Sequence, residues 1–255
     1  MDTTHELDPA PLEAVGRAAG THGTAEGALL LAAAGVPVFP CVQGGSRPLL
    51  PSGPRAASAD PDRVASWWSR YPATNLAIPT GAASGLDVVE VYADRSRSGI
   101  SAVRLAMRAG LLPRPGLAIS TPTGGLHLLF PRAPQTAQPS WDAPRSGLSF
   151  HGDSGHILLP PSLVLRADGV VARSQLVGPG NTSTGPVPAG ALRRLVDPAP
   201  AQNKRLAPAP TTAPRPGQRR GHTADPRPVS PAGTPPMFRP DPGGPGRRPS
   251  EVVSL

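Results

Sequence analysis

The sequence contains a single cysteine, Cys41, and a single lysine, Lys204. One cysteine excludes an internal disulfide and any metal site built from several thiolates. Aromatic residues make up only 4% of the 255 residues, and the longest apolar run, residues 28–34, is far too short to span a bilayer. No basic stretch followed by an apolar run occurs near the N-terminus, so we expect no signal peptide, no membrane contact and a cytoplasmic location.

Proline, glycine and arginine are abundant instead, and they are concentrated toward the C-terminus. The chain has 37 Pro and 29 Gly. The stretch 198–255 holds nine Lys or Arg residues against three carboxylates, and therefore six of the eight net positive charges. Dense proline with few large apolar residues predicts that 198–255 is a disordered Pro/Arg-rich tail. Because the charge is concentrated there, the basic isoelectric point does not indicate a basic groove in the folded part.

The remaining residues predict one mixed domain. Residues 1–22 are polar with little periodicity, and we expect them to form a disordered leader. In residues 23–197 the order is helix, strand, helix, strand, strand, helix and then several strands. This order predicts an α+β (α/β) domain, in which a mixed, largely antiparallel central sheet is flanked by helices.

One helix start is well marked. Asp60 followed by Pro61 is typical of an N-cap residue and the first helical position. Apolar side chains follow at i, i+3, i+4 and i+7, and they are Val64, Trp67, Trp68 and Tyr71. We expect this face to pack into a core rather than to stack on nucleic-acid bases, because aromatic side chains dominate core burial.

The stretch 86–94 predicts a buried central strand that contains a carboxylate, Glu90. Side chains alternate along a strand, so Val88, Glu90 and Tyr92 share one face, and Asp87 points to the other. A buried carboxylate is costly unless it is paired or binds a cation. Glu90 is therefore either a metal ligand or a paired structural carboxylate.

Six short segments follow one another in a characteristic order. They are Ala33 to Pro40, Gly45-Ser46-Arg47-Pro48-Leu49, Asp60 to Pro72, Asn75 to Gly81, Thr121-Pro122-Thr123-Gly124-Gly125-Leu126-His127, and Gly155 to Ser162. In this order they resemble the bifunctional DNA primase/polymerase N-terminal (prim-pol) domain of the archaeo-eukaryotic primase superfamily, over about 28–196. The resemblance implies a prim-pol-like fold.

The resemblance also implies where catalytic residues would lie. In the family, an Asp-x-Asp pair and a third Asp bind divalent metal for nucleotidyl transfer. These three positions fall on Glu90, Tyr92 and Ser149, so the acidic triad is degenerate. Any remaining metal site would use Glu90 with Asp94 or Asp153. The implied cofactor is Mg²⁺ or Mn²⁺ if the protein is active, and none otherwise.

The nucleotide-binding side of the family site is better preserved. His127 corresponds to the family histidine that contacts the incoming triphosphate, and it follows the glycine pair Gly124 and Gly125. Arg47 is retained in a loop whose family lysine is replaced here by Ser46. The resemblance therefore implies nucleotide binding at His127, Arg47, Gly124 and Gly125.

Three functional hypotheses follow. The first is a degenerate prim-pol domain that binds nucleotides and DNA without catalysis. The second is an active metal-dependent primase-polymerase, and the third is a non-catalytic protein-interaction module. No Gly-x-x-x-x-Gly-Lys-Ser/Thr motif is present in the sequence, so a replicative role would require a separate replication or helicase partner protein.

Overall fold

The computed structural model describes residues 8–93, 98–133, 136–177 and 185–198, which contain five α-helices and eleven β-strands. The helices are α1 (Ala10–Ala19), α2 (Thr24–Ala33), α3 (Pro61–Arg70), α4 (Ile100–Arg108) and α5 (Ala189–Val196). The strands are β1 (Phe39–Cys41), β2 (Asn75–Pro79), β3 (Leu86–Val91), β4 (Leu117–Ser120), β5 (Leu126–Pro131), β6 (Trp141–Ala143), β7 (Leu148–His151), β8 (His156–Leu158), β9 (Leu163–Leu165), β10 (Val171–Arg173) and β11 (Gln175–Leu176). A 3-10 helix spans Gly53–Ala56. None of these helices is long and apolar enough to cross a membrane.

The strands form a six-stranded sheet, a three-stranded sheet and a two-stranded hairpin. Their orders are β11-β4-β5-β3-β7-β6, β1-β2-β8 and β10-β9. Every pairing between these strands is antiparallel. The predicted α+β class with a largely antiparallel sheet flanked by helices is therefore confirmed.

Strand β3 lies between β5 and β7 and directs its side chains alternately into two apolar cores. Leu86 and Val88 are fully buried in a core to which α1, α2 and α3 also contribute. Val89 and Val91 are buried in a second core with residues of α4 and α5. The apolar area removed from water on both faces makes β3 the centre of the domain.

The predicted disordered leader is wrong for residues 10–19, which form α1. Leu12, Ala14, Val15 and Ala18 of this helix are buried in the first core. Residues 12, 15 and 18 recur at a spacing of three, which places them on one helix face. The signal was weak because alanine and glycine occupy many of the surrounding positions. Residues 1–7 lie outside the described part of the chain.

The predicted start of α3 is confirmed. The Asp60 carboxylate accepts hydrogen bonds from the backbone N–H groups of Asp62 (3.0 Å) and Arg63 (3.4 Å), which satisfies donors that the first turn leaves unpaired. Trp68 is buried in the first core, and its Nε1 donates to Thr24 Oγ1 at 3.1 Å. Val64 is buried in the same core and Trp67 packs against it, as expected. The prediction is wrong for Tyr71, which follows the last residue of α3 and is exposed.

The predicted disordered tail, 198–255, lies outside the described residues apart from Pro198. Its disorder stays a prediction.

Replacing Asp60 with alanine tests the cap. We expect the Asp60→Ala variant to lose about 1 kcal/mol of unfolding free energy in urea titration, because two backbone donors lose their acceptor. The control is Asp62→Ala, which removes a first-turn carboxylate that is not the cap and should cost roughly 0.5 kcal/mol or less. Equal losses in the two variants would contradict a specific capping role.

Candidate functional site

The central row of the six-stranded sheet brings three predicted site residues together. Glu90 on β3 pairs directly with His127 on β5 and with Ser149 on β7. Residues directly opposite one another in a sheet project from the same face. The alternation of β3 therefore correctly predicted which side chains meet.

The turn between β4 and β5 brings His127 into this row. Gly124 has a positive φ of 92°, and its N–H donates to the carbonyl of Thr121 at 2.9 Å. A Cβ on Gly125 would overlap the carbonyl oxygen of Val91. Gly124 and Gly125 thus permit a tight turn to pass close to the end of β3. The two glycines therefore shape the backbone of this turn, and their contact with nucleotide stays a prediction.

The Glu90 carboxylate lies between two histidines. His151 Nε2 is 2.9 Å from Glu90 Oε2, and His127 Nε2 is 3.8 Å from Glu90 Oε1. The two imidazole rings stand edge to face with their centroids 6.1 Å apart. Burial alone would raise the pKa of Glu90, but the interactions with His127 and His151 outweigh it and hold the pKa well below its ordinary value. Glu90 is therefore an ionised and paired carboxylate.

His151 was not among the predicted site residues. It follows Ser149 by two positions on β7, so it projects from the same face. Strand alternation could have identified it as a partner of Glu90. It was not predicted as a site residue because an imidazole is a soft ligand for Mg²⁺, although its position in the sequence places it on the face of Ser149.

The other two acidic positions of the resembled family are occupied by hydroxyl groups that contact each other. Tyr92 Oη lies 3.1 Å from Ser149 Oγ, and Ser149 is 1% exposed. A neutral hydroxyl pair satisfies part of its own hydrogen-bonding capacity without any cation. These two positions therefore add no negative charge to the site.

The donor set does not fit a pair of Mg²⁺ or Mn²⁺ ions. Such ions need several carboxylate oxygens on one face, and here Glu90 is the one carboxylate of the three positions. Among the described residues, no group of three or more His, Cys, Asp or Glu is arranged to hold a metal ion. Asp94, predicted as a possible second ligand, lies outside the described residues.

Asp153, the other predicted candidate ligand, is already bound to other groups. Its two carboxylate oxygens accept hydrogen bonds from Arg132, one from Nη1 at 2.6 Å and one from Nη2 at 3.1 Å. The backbone N–H groups of Ala82 (3.0 Å) and Gln138 (2.9 Å) also donate to it. Burial slightly opposes ionisation, but these contacts prevail and lower the pKa of Asp153. Asp153 therefore serves as an anchor for neighbouring loops.

Asp87 lies on the opposite face of β3 from Glu90 and is completely buried. Its Oδ2 accepts a hydrogen bond from Gln138 Nε2 at 2.6 Å, whereas Oδ1 has no hydrogen-bond partner and lies 3.9 Å from Arg132 Nη1. Burial raises the pKa of Asp87 to about 7, against the opposing effects of Arg132 and Gln138. Sequence reasoning gave no signal for this network, because Arg132 and Gln138 lie outside regular elements.

Arg47 is exposed on the loop after β1, and its carbonyl accepts a hydrogen bond from the N–H of Val42 at 2.9 Å. The neighbouring Ser46 carbonyl lies 3.1 Å from His156 Nε2. No ion pair involves Arg47 within the described part of the chain. Its guanidinium is thus available to an external anion.

Comparison with known protein families identifies the family to which the domain is similar. The family model described as "Bifunctional DNA primase/polymerase, N-terminal" matches residues 28–189, which is more than half of the chain. The matched range agrees with the range over which the sequence motifs occur. No curated protein matches the chain.

Replacing Glu90 with glutamine should lower stability at neutral pH by roughly 1–2 kcal/mol, because the charged acceptor for two histidines is lost. The folded-state pKa of Glu90 lies below its ordinary value of 4.5. Its contribution is therefore complete above pH 4.5 and is lost as the pH falls further. Chemical denaturation at pH 7 and pH 3.5 should show a larger difference from wild type at pH 7. Glu26→Gln, an exposed control on α2, should show little difference at either pH.

Replacing Asp87 with asparagine should favour the folded state at high pH, whereas Glu90→Gln disfavours it at neutral pH. The pKa of Asp87 is raised from 3.8 to about 7, so ionisation favours the unfolded chain and wild-type stability declines between these two pH values. Asp87→Asn removes this decline. The change in unfolding free energy that the substitution causes should therefore be more favourable at pH 8 than at pH 4, by roughly 1–3 kcal/mol. Asp142→Asn, an exposed control on β6, should not alter the pH dependence. An Asp87→Asn variant that is more strongly destabilised at pH 8 than at pH 4 would show that the carboxylate is required in its ionised form.

Proposed function

Because the chain belongs to the bifunctional DNA primase/polymerase N-terminal family, we propose that it binds nucleotides and DNA but has lost template-directed nucleotidyl transfer. The observation that carries this proposal is the contact between Tyr92 and Ser149, at 3.1 Å, in the row that also contains Glu90. Two of the three acidic positions of the family are neutral and bonded to each other. The third is engaged by histidines.

The chemistry of transfer explains why these replacements matter. Nucleotidyl transfer with two metal ions needs ligands that hold the ions close together, so that they activate the attacking hydroxyl and stabilise the leaving group. Tyrosine and serine hydroxyls are poor ligands for hard divalent cations at neutral pH. A single glutamate that is hydrogen-bonded to His151 and lies close to His127 cannot replace three carboxylates. We therefore expect the metal-dependent step to be absent or very slow.

The same substitutions favour retention of anion binding. The family site would place three carboxylates beside the substrate triphosphate, whereas this site has one carboxylate and two histidines. Repulsion of a triphosphate is therefore weaker in the absence of metal. His127 is the proposed phosphate contact, and the exposed Arg47 is a candidate for a second one. A role in replication would require a separate partner such as a helicase, since the chain has no nucleotide-hydrolysis motif of the P-loop type.

Primer extension tests the proposal directly. Purified protein should give no templated incorporation with Mg²⁺ and at most a trace with Mn²⁺. Nucleoside triphosphate binding, measured by calorimetry, should persist and weaken roughly tenfold in His127→Ala, the equivalent of one charge-assisted contact. Arg17→Ala, which removes an exposed arginine from α1, is the control. Robust extension that survives Glu90→Gln would refute the assignment of this site.

Restoring the acidic residues provides a second test. The triple variant Glu90→Asp, Tyr92→Asp, Ser149→Asp should gain metal-dependent incorporation, whereas single replacements should do little, because metal ligands act as a unit. The matched control is Glu90→Asp, Tyr92→Asn, Ser149→Asn, which has similar side-chain shapes and lacks two of the charges. Thermal denaturation with and without Mn²⁺ verifies that both variants fold. Equal activity in the two triple variants would show that charge at these positions is irrelevant.

A further inference from the structure

A cavity of about 440 Å³ lies among residues that do not belong to the Glu90 row. It is bounded by the 3-10 helix Gly53–Ala56, the loop after β2 and the turn between β7 and β8. None of Glu90, Tyr92, His127 and Ser149 lines it. A volume of this size is within the range of small-molecule sites.

Arg55 supplies the uncompensated charge of this cavity. It belongs to the 3-10 helix, is exposed, and forms no ion pair with any described residue. The acidic residue among the described lining is Asp153, and both its oxygens are held by Arg132 at 2.6 and 3.1 Å. Because Arg132 neutralises Asp153, the lining has a net positive charge from Arg55.

Three residues with hydroxyl groups line the cavity, Ser52, Thr80 and Ser154. The Thr80 hydroxyl donates to the Gly152 carbonyl at 2.7 Å, so Ser52 and Ser154 are the candidates for contacts with a ligand. Ser154 has a φ of 66°, the only positive φ of a non-glycine residue in the described part of the chain. This conformation disfavours side chains other than those of glycine and short polar residues, so its occurrence in a cavity wall points to a functional use of the side chain. Pro54, Ala82 and Ala83 make the rest of the wall small and apolar.

We propose that this cavity is a second anion site, which binds the phosphate of a nucleotide or of a nucleic-acid 5′ end through Arg55, Ser52 and Ser154. A guanidinium paired with hydroxyl donors is a common way to bind phosphate, since the guanidinium provides both charge and directed donors. The apolar wall would receive the attached sugar or base. The proposal does not depend on nucleotide binding at Glu90 and His127, because no residue is shared between the two sites.

Calorimetry of the full chain with inorganic pyrophosphate in metal-free buffer tests the site. Arg55→Ala should weaken binding at least about tenfold, and Arg55→Lys should restore part of it, because lysine keeps the charge and loses the fork of donors. Ser154→Gly should weaken binding by roughly threefold while the melting temperature stays equal or rises, since glycine accepts a positive φ without strain. If Ser154 had only a structural role, pyrophosphate affinity would not fall while the melting temperature stayed equal or rose.

Two controls distinguish this site from the Glu90 row. Arg17→Ala should bind pyrophosphate like the wild type, and adding Arg55→Ala to a His127→Ala variant should still weaken the remaining binding at least about tenfold. Pyrophosphate binding that is lost in His127→Ala and retained in Arg55→Ala would place the anion at the Glu90 row and overturn the proposal. Absence of pyrophosphate binding would overturn it as well. If nucleotide binding in the row fails while Arg55-dependent pyrophosphate binding persists, only the function proposed for the row is refuted.

Competition identifies the source of the phosphate. A nucleoside triphosphate, a 5′-phosphorylated oligonucleotide and the same oligonucleotide with a 5′-hydroxyl should each be titrated against bound pyrophosphate. Displacement by the triphosphate indicates a free nucleotide, and displacement by the phosphorylated strand alone indicates a strand end. If neither phosphorylated compound displaces pyrophosphate, the cavity holds an adventitious ion only and the proposal fails.

Discussion

The central constraint on this domain is that β3 is buried on both faces and contains a carboxylate on each. Asp87 and Glu90 differ by three positions, so alternation directs them to opposite sides of the six-stranded sheet. Each must find donors within the sheet or its adjoining loops, because an unpaired buried carboxylate is strongly unfavourable. On one face the donors are His127 and His151, and on the other they include Gln138. The positions of these residues follow from that requirement.

The two carboxylates of β3 are not equally well supplied with hydrogen-bond donors. Glu90 has a donor near each oxygen, and its pKa is lowered. Asp87 lies 3.9 Å from Arg132, but that guanidinium is held by Asp153 at 2.6 and 3.1 Å. Arg132 therefore serves mainly to anchor the turn after β7, and Asp87 retains an oxygen with no hydrogen-bond partner. Burial raises the pKa of Asp87, and because Asp153 holds the guanidinium, the lowering effect of Arg132 does not offset it.

Local patterns predicted those parts of the fold that depend on neighbours in sequence. The cap at Asp60 and the alternation of side chains along β3 are such features. Once the strand order is known, this alternation explains why Glu90, His127 and Ser149 lie next to one another. Helix α1 was missed because its apolar face consists partly of alanine. Thr24, the first residue of α2, donates its hydroxyl to the Thr74 carbonyl, 50 residues away. Contacts of this kind depend on tertiary packing, which no local pattern records.

The neutral hydroxyls of Tyr92 and Ser149 show how metal binding and the stability of the metal-free fold place different demands on these two positions. Ser149 is buried, so an aspartate there would need a cation or a donor to remain ionised. With metal bound, carboxylates at these positions are compensated, whereas in the metal-free fold they repel Glu90 and each other. Hydroxyls that bond to each other remove that repulsion and also remove the metal ligands. Metal affinity and metal-free stability therefore oppose each other at these two positions.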